Sequence, residues 1–363
     1  MELDMYLSPV TGLIPDISLT RHIIRDKLYH KKAGAQQKSV IIFAVDGVPF
    51  RLAKQYWPSA PQKIMLRSLF PTTTSSVWLT IVSGDKPSIH GVPGVVFRPE
   101  SNTESLINIF QYQGALGYTP QESIFSDAAK QGITPLVISG DLECHISSWQ
   151  RSLLCHAHEI TGFPIYQSEK YKQGKLSSRQ ALNTIRQAIN ETLNSLKEPA
   201  LIWYFIDLDL HIHHHGYDPH TMAMLTGIDE LAQQLTRQGL RVIAHSDHGL
   251  VETTHSEYIE NVMQNAMDKY AATMGGAGRT RWLYTRQYQD AFRFLRQALP
   301  ADILLAKKPQ SPTASPNLFT DRLGDIIMIS RGNTFICPPS YHYEHGSLTI
   351  DEVFVPLFFW HRE

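Results

Sequence analysis

The stretch SVIIFAVDGVP, residues 39–49, decides how this chain folds. Its apolar run is unbroken and closes on Asp46-Gly47, a pair suited to a turn. A short, wholly apolar run of this kind reads as a strand buried on both faces, the pattern of a parallel sheet covered by helices. Working outward, PALIWYFIDLDL (199–210) and LRVIAHSDHG (240–249) repeat it. Helical patterns lie between. SSRQALNTIRQAINETLNSL (177–196) sets Leu182, Ile185, Ile189, Leu193 and Leu196 on one stripe, and PHTMAMLTGIDELAQQLTRQG (219–239) ends on glycine. PQESIFSDAAKQG (120–132) and ITPLVISGD (133–141) read as a helix followed by a strand. Alternating elements with wholly apolar strands predict an α/β fold: a mainly parallel central sheet with helices on both faces.

The same pass suggests three regions. Residues 1–35 read as an irregular N-terminal extension, with the basic stretch HKKAG as a flexible end. Residues 36–251 and 320–363 read as the core, with RLGDIIMISRGNTFIC (322–337) and TIDEVFVPLFFW (349–360) as strands returning to it. Residues 252–319 read as a cap or insertion. It contains MGGAGRTRWLY (274–284), a helix near 288–299 and the loop KKPQSPTASPN (307–317).

Composition narrows the function classes. The chain has 363 residues and a formal net charge of −1, with 42% hydrophobic and 18% charged residues. That balance argues against a nucleic-acid polymer or an anionic membrane as partner. The cysteines Cys144, Cys155 and Cys337 are too few for a disulfide framework, so reduced thiols in the cytoplasm are expected. No basic segment followed by an apolar one opens the chain, and no run of 18 apolar residues occurs, so neither a signal peptide nor a membrane span is expected.

Ligands of such sheets bind beyond the carboxyl ends of the strands. Those ends carry Asp46, then Asp207, Asp209, His211 and His213, then Asp247 and His248; His345 arrives in EHGS. The run FPTTTSSVWLTIVSG (70–84) follows the first strand. Its hydroxyls suit a helix cap, and helix N–H groups can also gather an anion. Each aspartate or histidine singly can serve a turn, a cap or the surface. Together they put carboxylates and imidazoles at several strand ends, a donor set that suits Zn²⁺ or Mn²⁺.

In order, AVDG, FPTTTSS…LTIVSG, DLDLHIHHHG, SDHG and HGSLTIDEVFVPL resemble the alkaline phosphatase superfamily, most of all its type I phosphodiesterase and nucleotide pyrophosphatase branch. The resemblance runs from about residue 39 to about residue 360, loosely over 86–200 and 252–320. It implies two divalent cations. One would be held by Asp46, Thr74, Asp247 and His248, the other by Asp209, His213 and His345. Asp207 with His211 has the same spacing as Asp209 with His213; Gly216, three residues past His213, favours the latter. The pattern Pro-Thr/Ser-x-Thr, here Pro71 to Thr74, implies Thr74 as nucleophile, with Thr73 as the neighbouring alternative. The implied activity is hydrolysis of a phosphodiester or pyrophosphate in a small, nucleotide-like substrate through a phospho-threonine. A phosphomonoesterase, a phosphonate hydrolase or a non-catalytic binding domain on the same scaffold are the alternatives. One departure stands out: the branch carries Asn three residues after the nucleophile, where this chain has Val77. The Cys-x-Pro-Ser-Arg signature of the sulfatase branch is absent.

Ser75, His255, Arg279 and Arg281 are the candidates for substrate contact. His211, His214, His215 and His220 exceed what two cations need, and Cys144-His145 and Cys155-His156-x-His158 have no standard structural-zinc spacing.

Overall fold

A computed structural model describes residues 14–29, 37–100, 103–142, 147–309 and 318–361. The first 13 residues of the N-terminal extension, all of HKKAG, the Cys144-His145 pair and residues 310–317 of the long loop lie outside the described residues.

The apolar runs form a seven-stranded sheet. Its strands are β1 (Val40–Val45), β2 (Gln62–Arg67), β3 (Thr134–Ile138), β4 (His158–Ile160), β5 (Ala200–Ile206), β6 (Arg241–His245) and β7 (Phe354–Phe359), in spatial order β2-β7-β6-β1-β5-β3-β4. β1 lies at the centre, parallel to β5 on one side and β6 on the other, and β3 is parallel to both β4 and β5. β7 runs antiparallel to both its neighbours, β2 and β6. All of β1 and all of β5 are buried, which is what two covered faces require. One face packs a core around Trp78, Trp203 and Phe125; the other packs Ile185, Ile189, Ile228 and Leu231 from the helices Ser178–Ser195 and Pro219–Arg237.

A second sheet of six strands, in spatial order Ile303–Lys307, Ile326–Ser330, Thr280–Tyr284, Thr273–Ala277, Val96–Phe97 and Ile107–Asn108, shares one of the apolar cores with the first through Phe97, Trp282, Ile327 and Ile329. This corrects the expected boundaries. Ile326–Ser330, expected in the core, pairs with Thr280–Tyr284, and Val96–Phe97 joins from the other edge. The physical reason is that an apolar run buried on both faces does not say which sheet buries it.

The second sheet is tied to the core beneath His345. Arg279, fully buried, places Nε 3.3 Å from Oε1 of the equally buried Glu352 and donates from Nη1 to Thr253 Oγ1 at 3.0 Å. Its backbone N–H donates to the His345 carbonyl at 2.7 Å. Gly278, at φ +49°, turns so close to His345 that an added Cβ would sit 2.0 Å from that carbonyl oxygen. Among the described residues no helix is long and apolar enough to cross a membrane.

Candidate active site

β1, β5 and β6 run side by side in one direction, so the residues just past them converge. Asp46 follows β1, Asp247 and His248 follow β6, and the helix Leu208–His215 follows β5. Gly47, at φ +82°, lets the backbone of that helix approach: a Cβ there would lie 3.0 Å from the Asp209 Cα. Asp209 and His213 sit four apart on one face of the helix, with Oδ2 of the first 3.0 Å from Nε2 of the second. Asp207 instead caps the helix, accepting from the Leu210 N–H at 3.1 Å. His211 faces away, with Asp218 Oδ1 3.0 Å from its Nε2 and the Tyr171 hydroxyl 2.6 Å from its Nδ1.

Three overlapping groups of potential ligands result: Asp46, Asp247 and His248; Asp209, His248 and His345; and His213, Glu344 and His345. Nε2 of His248 is 3.2 Å from Asp247 Oδ2 and 3.6 Å from Asp46 Oδ1, and His345 Nε2 is 4.0 Å from Asp209 Oδ2. The Asp209–His213 contact joins the last two groups, so Asp209, His213 and His345 make one cluster beside that of Asp46, Asp247 and His248. The rings of His248 and His345 stack at 3.8 Å between centroids, so the clusters adjoin. Two backbone carbonyls fix the tautomers. Nδ1–H of His213 donates to Tyr343 O at 2.7 Å, and Nδ1–H of His345 donates to Thr72 O at 2.6 Å. Each Nε2 is thereby free to ligate, the arrangement that supports metal-binding histidines.

The donor set fits cations. Asp46 Oδ1, Asp209 Oδ1 and Asp247 Oδ2 are buried and accept no hydrogen bond, although buried carboxylate oxygens are normally satisfied. Burial, with Asp247 and Asp209 nearby, pushes the Asp46 carboxyl well above the usual range. Burial pushes Asp247 up to about 8. Burial works the same way on Asp209, but His213 and His345 pull its carboxyl below the usual range. Burial lowers His213, yet Asp209 and Glu344 raise it to about 10. Carboxylates crowded in this way ionise together only when positive charge joins them.

Thr74 opens the helix Thr74–Ser83, with Oγ1 3.1 Å from His248 Nε2. The cap position itself falls on Thr73, one residue earlier than the nucleophile position, and Gly84 closes the helix at φ +84°. Val77 is fully buried in the core, so no side chain from that position reaches the site. Ser75 is also fully buried; its hydroxyl lies 3.4 Å from that of Thr73. His255 Nδ1 lies 2.9 Å from the Cys337 carbonyl, with Nε2 3.3 Å from Glu260. His255, Arg279 and Arg281 are not among the residues lining the cleft at Thr74.

That cleft, of about 300 Å³, is lined by Asp46, Thr74 and Asp209 at one end. Phe110, Trp149 and Phe205 give it aromatic walls, while Gln150, Gln167, Asp141 and Asp207 add polar groups. Sequence reasoning misses several of these. Asp141 was legible as one more carboxylate at a strand end, and Glu344 as the neighbour of His345. Trp149 carries no sequence signal; it is held by donating from Nε1 to the Ser75 carbonyl at 2.7 Å.

Comparison with known proteins follows this geometry. Human ectonucleotide pyrophosphatase / phosphodiesterase 5 superposes with a TM-score of 0.62 at 16% identity, covering 89% of this chain and 87% of that one. An inactive variant of the murine protein, in complex with AMP, gives 0.61 at 14%, covering 89% and 88%. Phosphonoacetate hydrolase from Sinorhizobium meliloti 1021, in complex with phosphonoacetate, gives 0.61 at 14%, covering 89% of each chain. At such identities the likeness shows the fold alone. No curated protein matches. The sequence profile of one family does match, over residues 40–347. The chain therefore belongs to the type I phosphodiesterase / nucleotide pyrophosphatase family, within the alkaline phosphatase superfamily of phosphoester hydrolases.

Proposed function

We propose that the protein hydrolyses a phosphodiester or pyrophosphate bond in a small, nucleotide-like substrate, with Thr74 as nucleophile. Asp46, Thr74, Asp247 and His248 would hold one divalent cation; Asp209, His213 and His345 would hold the other. Zn²⁺ or Mn²⁺ suits these donors. Bound there, such ions lower the pKa of a ligated hydroxyl and neutralise charge on the phosphoryl oxygens. The observation that carries the reading is the Thr74 hydroxyl, 3.1 Å from His248 at a helix N-terminus, beside buried carboxylates with orphaned oxygens.

Thr74 Oγ1 would attack phosphorus, and the bond to the leaving oxygen would break in line with it. The free N–H groups at the start of the helix Thr74–Ser83 would hold the phosphoryl oxygens. Water then cleaves the phospho-threonine and restores the hydroxyl. The cleft supports an esterified substrate: among the described residues lining it there is no lysine, arginine or histidine to meet a further anionic group. Cys155 and Cys337 form no disulfide among the described residues, in keeping with a cytoplasmic setting.

Thr74→Ala tests the nucleophile. Alanine is the best helix former, so the melting temperature should move by no more than about 4 °C, the effect of about 1 kcal/mol in a large domain. Turnover of bis-p-nitrophenyl phosphate should fall more than about a thousandfold, while Thr73→Ala remains active. The reverse pattern would move the nucleophile by one residue.

A further inference from the structure

Glu344 is an acidic side chain at the site that the family pattern does not require. It is 4% exposed. Its Oε1 lies 3.6 Å from Nδ1 of His213 and 3.9 Å from Nε2 of His345, and accepts the His345 backbone N–H at 3.2 Å. Neither ring needs it as a hydrogen-bond partner, because each Nδ1–H already donates to a carbonyl. Apart from these two imidazoles, no basic side chain pairs with its charge among the described residues. Arg281 feels the Glu344 carboxylate but forms no ion pair with it among the described residues, and Arg279 is paired with Glu352. Glu344 therefore contributes a buried negative charge to the cluster of Asp209, His213 and His345.

A charge count shows what that does. At the first cluster Asp46 and Asp247 balance a dication. At the second, Asp209 and two neutral imidazoles leave a dication half balanced, and an unbalanced charge is costly in a buried site. We propose that Glu344 is the charge-balancing carboxylate of the second cation site, and that it thereby favours substrates whose phosphoryl group carries one negative charge over those carrying two. This rests on the two-cation reading. With Glu344, four carboxylates cancel two dications before substrate arrives. Without it the site holds a surplus positive charge that rewards a dianionic monoester.

The experiment compares the wild type with Glu344→Gln, which keeps the shape, and Glu344→Asp, which keeps the charge. Metal-free proteins are titrated with Zn²⁺ against a chromophoric chelator. The kcat/KM ratio of bis-p-nitrophenyl phosphate to p-nitrophenyl phosphate is then measured at saturating Zn²⁺. The wild type should bind two ions. The Gln variant should bind the first normally and the second about 10- to 100-fold more weakly, with its ratio shifted about tenfold toward the monoester. The Asp variant should stay within about threefold of wild type for the second ion, since its carboxylate persists at the same site. Wild-type binding and an unmoved ratio in the Gln variant would overturn the proposal. So would weaker binding with an unmoved ratio, or an Asp variant damaged as much as the Gln variant. Should the Gln variant not fold, Glu344→Leu, which also removes the charge, carries the same expectations and the same overturning results. A wild type that binds no divalent ion would instead remove the two-cation reading itself.

Discussion

Trp78 shows how much of the site one buried side chain sets. Its indole is fully buried and meets Trp203 and Phe205 edge-on, at 5.6 and 5.5 Å between centroids. Nε1 donates to Asp46 Oδ2 at 3.0 Å, which leaves Oδ1 as the oxygen without a partner. A hydrogen bond to a charged group contributes about 1.5–3 kcal/mol. In Trp78→Phe the aromatic mass stays and the donor goes. We expect the affinity for the ion at Asp46 to fall about tenfold or more, matching the lower end of that range, with a lower melting temperature from the smaller ring. Zn²⁺ titration and a thermal melt check both. Trp78 also marks a limit of legibility. Asp46, Asp247, His248 and His345 stand out in the sequence because each follows a strand or a motif. Trp78 and Trp149 act through partners far away in the chain, and no spacing rule reports those.

At the scale of the element, one spacing gave two readings of DLDLHIHHHG. Asp207–His211 and Asp209–His213 share the four-residue interval; Gly216 favours the second in the sequence, and the way the helix rolls onto the sheet separates them in space, since Asp209 meets His345 while His211 meets Asp218 and Tyr171. The helix Thr74–Ser83 carries a second device. Its Thr80 meets His90 from the short helix Pro87–His90, with Oγ1 3.1 Å from Nε2, while Val92 N–H donates to His90 Nδ1 at 3.1 Å. Burial, with Arg322 nearby, lowers the pKa of this imidazole to about 3. The folded state therefore binds fewer protons than the unfolded chain between pH 6.5 and about 3. Stability from this group is present above pH 6.5 and is lost as pH falls through that window, by up to about 1.4 kcal/mol per pH unit. His90→Gln removes the titrating group. It should be less stable than wild type at pH 7, and the gap should narrow steadily toward pH 4 in urea denaturation. A gap that stays constant with pH would assign His90 no part in acid sensitivity.

Across the whole molecule, the parallel order of β1, β5 and β6 builds the site, and the same order loads the fold with like charge. The apolar runs made that order readable in outline. They did not reveal that Ile326–Ser330 belongs to the second sheet, because two buried sheets make the same demand on a strand. Asp46, Asp209 and Asp247 are brought together from three strand ends, so the folded state without cations holds carboxylates that repel. Burial raises the folded-state pKa of Asp247 to about 8, above the ordinary 3.8. An acid raised in this way loses stability for the fold as pH climbs from about 4 to about 8, and its cost is complete above that. Chelation should therefore lower the melting temperature of the wild type at pH 9, and Asp247→Asn should separate the two states by sign. The amide oxygen can still accept the Gly47 N–H, as Oδ1 does now at 3.4 Å. In EDTA at pH 9, Asp247→Asn should melt above wild type, because one buried charge is gone. With Zn²⁺ or Mn²⁺ in excess it should melt below wild type, because a ligand is gone and ion binding contributes in proportion to its affinity. A shift of the same sign in both conditions would show that Asp247 serves the fold and not a cation.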